Sequence, residues 1–176
     1  SALLEHIEIS FIAIVTAIVL AIFVTIFLNF YKEFSHVTIY LFSLMYAIPS
    51  FALFALLIPI TGLGQTTAII VLVIYAQYIL VRTFLSGLSQ VDKHVIEAAK
   101  AMGMTKWQIL LKVQFPLAQK SFFAGLRLAS TAIIAIATIG ATINAGGLGV
   151  ILFDGLRTMN LTKLLWGIIL TVGLSL

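Results

Sequence analysis

From Ile9 to Tyr31 the chain carries no charged side chain, and most of the residues in that run are Ile, Val, Ala, Leu or Phe. A helix on the surface of a soluble domain keeps a polar face, whereas a run of about 20 apolar residues is what a helix needs to cross a hydrocarbon layer ~30 Å thick. Comparable runs recur down the sequence, which excludes an ordinary soluble domain. Composition agrees: 62% of residues are hydrophobic, 9% are charged and the mean hydropathy is +1.20. A closed barrel needs short alternating strands, and these runs are long and continuous. The expected fold is an all-α integral membrane protein embedded in lipid.

About five transmembrane helices are expected, over about 7–30, 37–60, 68–88, 122–143 and 164–176, in a single transmembrane domain covering 1–176. The second and third are joined by the polar turn TGLGQTT at Thr61–Thr67, and Arg82 lies close enough to the end of the third to snorkel toward headgroups. Residues 89–120 form a long loop between the third and fourth spans. The last run is still apolar at Leu176 and is shorter than the ~20 residues a crossing requires. Because the first residue is Ser rather than Met, the expectation is a fragment of a longer chain that a further domain can follow.

Ten basic residues against six acidic ones give a net charge of +4. In a membrane protein the position of the excess matters more than its size, because cytoplasmic loops collect Lys and Arg. The 89–120 loop holds Lys93, Lys100, Lys106, Lys112 and Lys120 against Asp92 and Glu97, while the N-terminal flank holds only Glu5 and Glu8. The loop is therefore placed in the cytoplasm, and by alternation the N-terminus lies outside, Lys32 inside, and the Gly-rich segment with Asp154 and Arg157 outside. No nucleic-acid partner is implied. The absence of cysteine rules out disulfides and thiolate metal sites. No Gly is followed by Lys, so a phosphate-cradling P-loop is missing, and His6, His36 and His94 are too dispersed to suggest a metal cluster.

Within the loop, EAAKAMG at residues 97–103 reads as a small charged helix. Asp92 can cap its start, Lys93 and Glu97 form an i,i+4 pair, Glu97 and Lys100 an i,i+3 pair, and Gly103 supplies the stop. Thr105 and Gln108 fit a capping box opening a second short helix, which Pro116 ends or kinks. Val95, Ala98, Ala99 and Met102 share one face at helical spacing, and small alanines let a partner approach closely. These features suit a docking helix and an amphipathic connector on the lipid surface equally well.

Glu97, Ala98 and Ala99, three residues, Gly103, nine residues, then VQFP ending at Pro116 resemble the EAA signature of permease subunits of bacterial ABC importers. IPSFALFALLIPITGLG at 48–64, AGLRLA at 124–129 and NAGGLG at 144–149 extend the likeness to the permeases of osmoprotectant importers, which carry glycine betaine, carnitine, choline and related quaternary amines. The methionine importer permeases share the five-span plan, the EAA loop and a similar GGLG. Two departures stand out: Gln77 and Tyr78 where such permeases often carry a proline, and Asn144 where a Gly would be expected.

The resemblance implies a bacterial inner-membrane permease with no catalytic centre and no cofactor of its own. It implies as partners two cytoplasmic ABC ATPase subunits that hold the ATP, a second permease copy (the same or a sister chain), and an extracytoplasmic substrate-binding protein or fused binding domain. Glu97, Ala98, Ala99, Met102, Gly103 and Pro116 would form the lever on which the ATPase acts. Other residues invite a translocation role beside plainer ones. Pro49 falls mid-span and should bend the second helix, either at the pore or as a packing kink. Tyr46, Phe51, Phe54, Tyr75 and Tyr78 offer ring faces to a trimethylammonium group, or simply pack. Gln77 and Asn144 are polar at membrane depth and are expected to face the bundle. Arg127 reads as a snorkelling residue or a gate.

Overall fold

The computed structural model describes residues 1–176 and contains helices and connecting turns only. Helix α1 spans Ala2–Phe30, α2 Ser35–Ala47, α3 Ser50–Thr61, α4 Gln65–Ser89, α5 Lys93–Ala101, α6 Lys106–Ile109, α7 Phe115–Ala137, α8 Gly149–Arg157 and α9 Leu161–Ser175. Three helical units are long and apolar enough to cross a membrane: α1, α4 and the unbroken 38-residue helix from Lys106 to Ile143 that contains α6 and α7. The α2–α3 pair qualifies only when its two halves are taken together.

Helices α1, α4 and α7 form the packed centre, and its geometry follows from small side chains. On α1, Ile9, Ala13, Ala17, Ala21 and Leu28 are buried while Phe11, Phe23 and Phe27 face outward. The alanines recur every fourth residue, so they form one stripe against which α4 lies close, as small-residue stripes permit between membrane helices. Gln77 on α4 uses that proximity: its side-chain nitrogen donates to the Ala17 carbonyl at 3.0 Å. Between α4 and α7 the close approach rests on two glycines. A Cβ at Gly87 would sit 2.5 Å from Ser121 Cβ, and one at Gly125 would sit 2.2 Å from Thr83 Oγ1.

The second expected span, 37–60, is not a kinked rod. It is broken at Ile48–Pro49, where α2 and α3 meet at 97°. Pro49 cannot donate a backbone hydrogen bond, and Ile48 takes the extended conformation that a residue before proline favours (ψ 129°). The Ile48 carbonyl that the break releases accepts a hydrogen bond from the Tyr75 hydroxyl on α4.

The interruption is also shorter than the expected 89–120. Only α5 and its flanks are separate, because α6 runs on through a π turn at Leu110–Gln114 into α7. In that turn Phe115 N donates to Leu110 O, five residues back. The helix thereby reaches Pro116 at the opening of α7, where its missing amide does not end the helix. At its far end α7 tightens into a 3-10 turn over Thr138–Ile143 and stops at Asn144, whose backbone is left-handed (φ 61°).

Candidate functional site

Two groups of residues carry the functional expectations, and they lie at different places on the bundle. The first is the α5 loop. Asp92 Oδ1 accepts from His94 N at 2.9 Å, which caps the helix start. At the other end Met104 N donates to Ala99 O at 3.1 Å and Gly103 N to Lys100 O at 2.9 Å, with Gly103 at φ +79°. That pair of bonds is a Schellman motif, which needs a left-handed residue where the glycine stands. Next, Thr105 and Gln108 close a reciprocal capping box: Thr105 N donates to Gln108 Oε1 at 2.8 Å and Gln108 N to Thr105 Oγ1 at 3.3 Å. Two locked ends thus face each other across Gly103 and Met104, and α5 is held as a rigid piece.

The face of α5 divides. Ala99 is buried against the bundle, with Ile96 half-buried beside it, while Val95, Ala98 and Met102 are exposed, Met102 to 76%. Ala99 therefore anchors the helix, and the free apolar strip is Val95, Ala98 and Met102. Glu97 is exposed and pairs with His94 at 3.9 Å, not with Lys93 or Lys100, so the lysines stay free. Pro116 lies beyond the π turn, on the spanning helix and not on the loop.

The second group surrounds the break in the α2–α3 pair. Tyr46, at the end of α2, stacks near Tyr75 (5.6 Å between ring centres) and Tyr78 (5.1 Å). Arg82 lies over the Tyr78 ring at 5.5 Å and also donates to its hydroxyl. The three rings form one cluster, tied to the break by the Tyr75 hydroxyl on the Ile48 carbonyl. Phe54 is instead wholly buried in the core and Phe51 is turned outward. Gln77 faces the bundle as expected, but it is spent on holding α1 to α4; its Oε1 is buried without a partner. Asn144 does not face the bundle. It is exposed, and its left-handed backbone explains why Asn can stand where Gly was expected. Arg127 is exposed, and α4 is continuous through Gln77 and Tyr78 without a proline.

A third feature joins the Gly-rich NAGGLG segment to the N-terminus, a long-range contact that no spacing in the sequence indicates. The NAGGLG segment folds over the start of α1, where Gly147 N donates to Glu5 Oε2 at 3.2 Å and Leu148 N to His6 Nδ1 at 3.3 Å. Since Nδ1 accepts, the proton of the neutral ring is on Nε2, which meets the Ile134 carbonyl at 3.0 Å. That carbonyl is available because the 3-10 turn takes the Thr138 amide to Ala135. Close contact explains two glycines: a Cβ at Gly146 would lie 2.4 Å from Glu5 Oε2, and one at Gly147 2.9 Å from His6 Nδ1. The N-terminus and the Gly-rich loop thus share one end of the bundle. Phe30 and Trp107, with ring centres 4.9 Å apart, join α1 to the α5–α6 region at the other.

Nearly all of these elements fall inside a family match: residues 13–176 fit the model of the binding-protein-dependent transport system inner membrane component. The chain belongs to that family. Among the curated relatives of this transport component is the carnitine transport permease protein OpuCB of Listeria monocytogenes, 36% identical over 165 residues, covering 94% of this chain and 76% of that protein. The ergothioneine transport permease/ergothioneine binding protein EgtU of Helicobacter pylori is 44% identical over 123 residues, which is 70% of this chain and 22% of that protein. The glycine betaine/carnitine/choline transport system permease protein OpuCB of Bacillus subtilis is 33% identical over 153 residues, 87% of this chain and 70% of that one. Among solved structures, an inward-facing conformation of the MetNI methionine ABC transporter superposes with a TM-score of 0.89 over 99% of this chain and 88% of that one. At 23% sequence identity that likeness establishes the permease fold of this transport component.

Proposed function

We propose that this transport component is the membrane permease of an ATP-driven importer for quaternary ammonium compounds, working by alternating access. The family membership carries this reading, and the relatives named for carnitine, choline, glycine betaine and ergothioneine supply the substrate class. The chain spans the inner membrane five times as one transmembrane domain, with its N-terminus outside and α5 in the cytoplasm; the lysine-rich flanks of α5 support that orientation. The bent α2–α3 pair counts as one crossing and α9 as another.

In this reading α5 is the coupling helix. Two ABC ATPase subunits bind and hydrolyse ATP, this chain holds no cofactor, and a second permease copy completes the pore. A substrate-binding protein or fused domain delivers cargo at the end that bears the NAGGLG loop. An ATPase can bias the pore only through contacts that differ between its states, and a rigid α5 with its exposed strip at Val95, Ala98 and Met102, beside Glu97, is suited to transmit them. Gly103 and Pro116 act at one remove, the first by fixing the turn and the second by opening the spanning helix. The translocation path runs past Tyr46, Pro49 and Tyr75. Gln77 and Asn144 contribute to its frame, not to its lining.

Methionine transport is the alternative raised by the MetNI likeness, which rests on fold alone. Reconstitution with the cognate ATPase and binding protein, followed by ATP hydrolysis across a panel of betaines, choline, carnitine and methionine, separates the two. Stimulation by a quaternary amine supports the proposal, and stimulation by methionine alone overturns its substrate class.

A further inference from the structure

At the end of the bundle that carries α5 lies a pocket of about 510 Å³, with Lys32, Arg82, Lys93 and Gln114 in its wall. A second, of about 340 Å³, adjoins it through shared Asn29, Lys32 and Gln114 and adds Lys100 and Lys106. Glu33 is the one carboxylate in either wall. None of these five cations is paired with a carboxylate. Exposed lysines are ordinary at a membrane surface, so charge alone would mean little. The distinguishing residue is Gln114. It is 9% exposed, it sits on the π turn, and its side chain makes one hydrogen bond, accepted from Asn29 Nδ2 at 3.3 Å. Exchanging oxygen and nitrogen in both amides would still leave an amide N–H of this pair turned to the pocket. An amide donor with no acceptor in the chain, carried on a largely buried residue, open to the pocket and ringed by cations without carboxylate partners, fits an anion with several oxygens.

The rest of the larger wall is mixed: Asn29, Ser35, Ser86 and Ser89 alternate with an apolar side made by Leu28 and Leu88, which are buried, and by Ile39 and Leu85, half-buried along the spans. A fully hydrated anion gains nothing from that side, whereas an amphiphile places its head at the cations and its chain along the leucines. We propose that this pocket binds a phosphodiester anion, held as the headgroup of an anionic phospholipid. Its wall comes from the ends of α1 and α4, from α5 and from the π turn, so an occupant bridges α5 to the membrane-spanning helices. The cations are distinct from the Val95, Ala98 and Met102 strip, and the lipid does not compete for it.

The test is native mass spectrometry of the purified full chain in mixed micelles of phosphatidylglycerol and phosphatidylcholine, with circular dichroism to confirm helix content. Preferential retention of phosphatidylglycerol is expected. Lys32→Gln/Lys93→Gln should reduce it roughly thirtyfold, as two cations beside a phosphate are removed, and Gln114→Leu should reduce it as well. Lys112→Gln/Lys120→Gln removes the same charge from residues outside both pockets and should leave retention unchanged. Should Gln114→Leu fail to fold, the exposed lysine pair still decides the matter. Displacement of the lipid by water-soluble glycerophosphoglycerol would support the phosphodiester site and assign a soluble source to it. Equal retention of the two lipids, or equal loss in the control pair, would overturn the proposal.

Discussion

The amide of Leu148 donates to Nδ1 of His6 across 142 positions of sequence, and the opposite nitrogen of the same ring meets the Ile134 carbonyl. One fully buried imidazole therefore satisfies two backbone groups that the 3-10 turn and the Gly-rich loop would otherwise leave unpaired. His6→Ala should destabilise the purified protein by about 2–6 kcal/mol, since two buried groups are orphaned and each costs about 1–3 kcal/mol. Thermal unfolding in detergent checks this, and His6→Gln should recover part of the loss.

Asp154 tests the neighbouring corner. Its carboxyl is held below its ordinary value of 3.8, first by the hydrogen bond from Lys163 and then by that from Arg157. A folded-state pKa depressed in this way contributes stability above the unfolded value, and that contribution is lost as pH falls through the folded value. Protection of α8 and the start of α9 in hydrogen exchange should therefore be steady near neutral pH and fall below about pH 4. Asp154→Asn should abolish that pH dependence, and high salt should weaken it because the half-buried carboxylate and its cations remain open to solvent.

The α4–α7 contact leaves no room at Gly125. Gly125→Val places its Cβ against Thr83 and should cost about 1–3 kcal/mol through overpacking. Gly125→Val with Thr83→Ala should recover much of the loss, since the obstructing hydroxyl and methyl are gone. Comparison of melting temperatures for the single and double variants settles whether this contact sets the helix spacing.

Much of this architecture was legible in the residues. The apolar runs announced α1, α4 and α7, and the Asp92, Gly103 and Thr105 signals located the ends of α5 and the start of α6. These are local features, decided within one turn of helix. What escaped was tertiary. The Ala13, Ala17 and Ala21 stripe looked like any apolar run until α4 packed on it. Nothing beside Pro49 told a kink from a 97° break, because Tyr75, which takes up the freed carbonyl, lies 27 residues on. Pro116 misled for a related reason: the π turn before it absorbs the missing donor. Polarity alone would place Asn144 and Gln77 alike, yet one is set by its left-handed backbone and the other by a bond to α1.

Tyr75→Phe follows from the same break. It keeps the ring beside Tyr46 but removes the hydroxyl that serves Ile48. The expected cost is about 1–3 kcal/mol for an unsatisfied carbonyl, with faster hydrogen exchange in α3 than in α1. Unchanged exchange in α3 would mean that the bend is held without this bond.

In the proposed function α5 is the element through which an ATPase acts. The decisive measurement is ATP hydrolysis by the assembled, reconstituted transporter carrying Met102→Asp, together with co-purification of its ATPase. Met102 is 76% exposed and makes no packing contribution that its loss would remove from the bundle. The expected result is a folded permease that no longer retains the ATPase and no longer supports substrate-stimulated hydrolysis. Full association and full stimulation in Met102→Asp, and again in Val95→Asp/Met102→Asp, would contradict it.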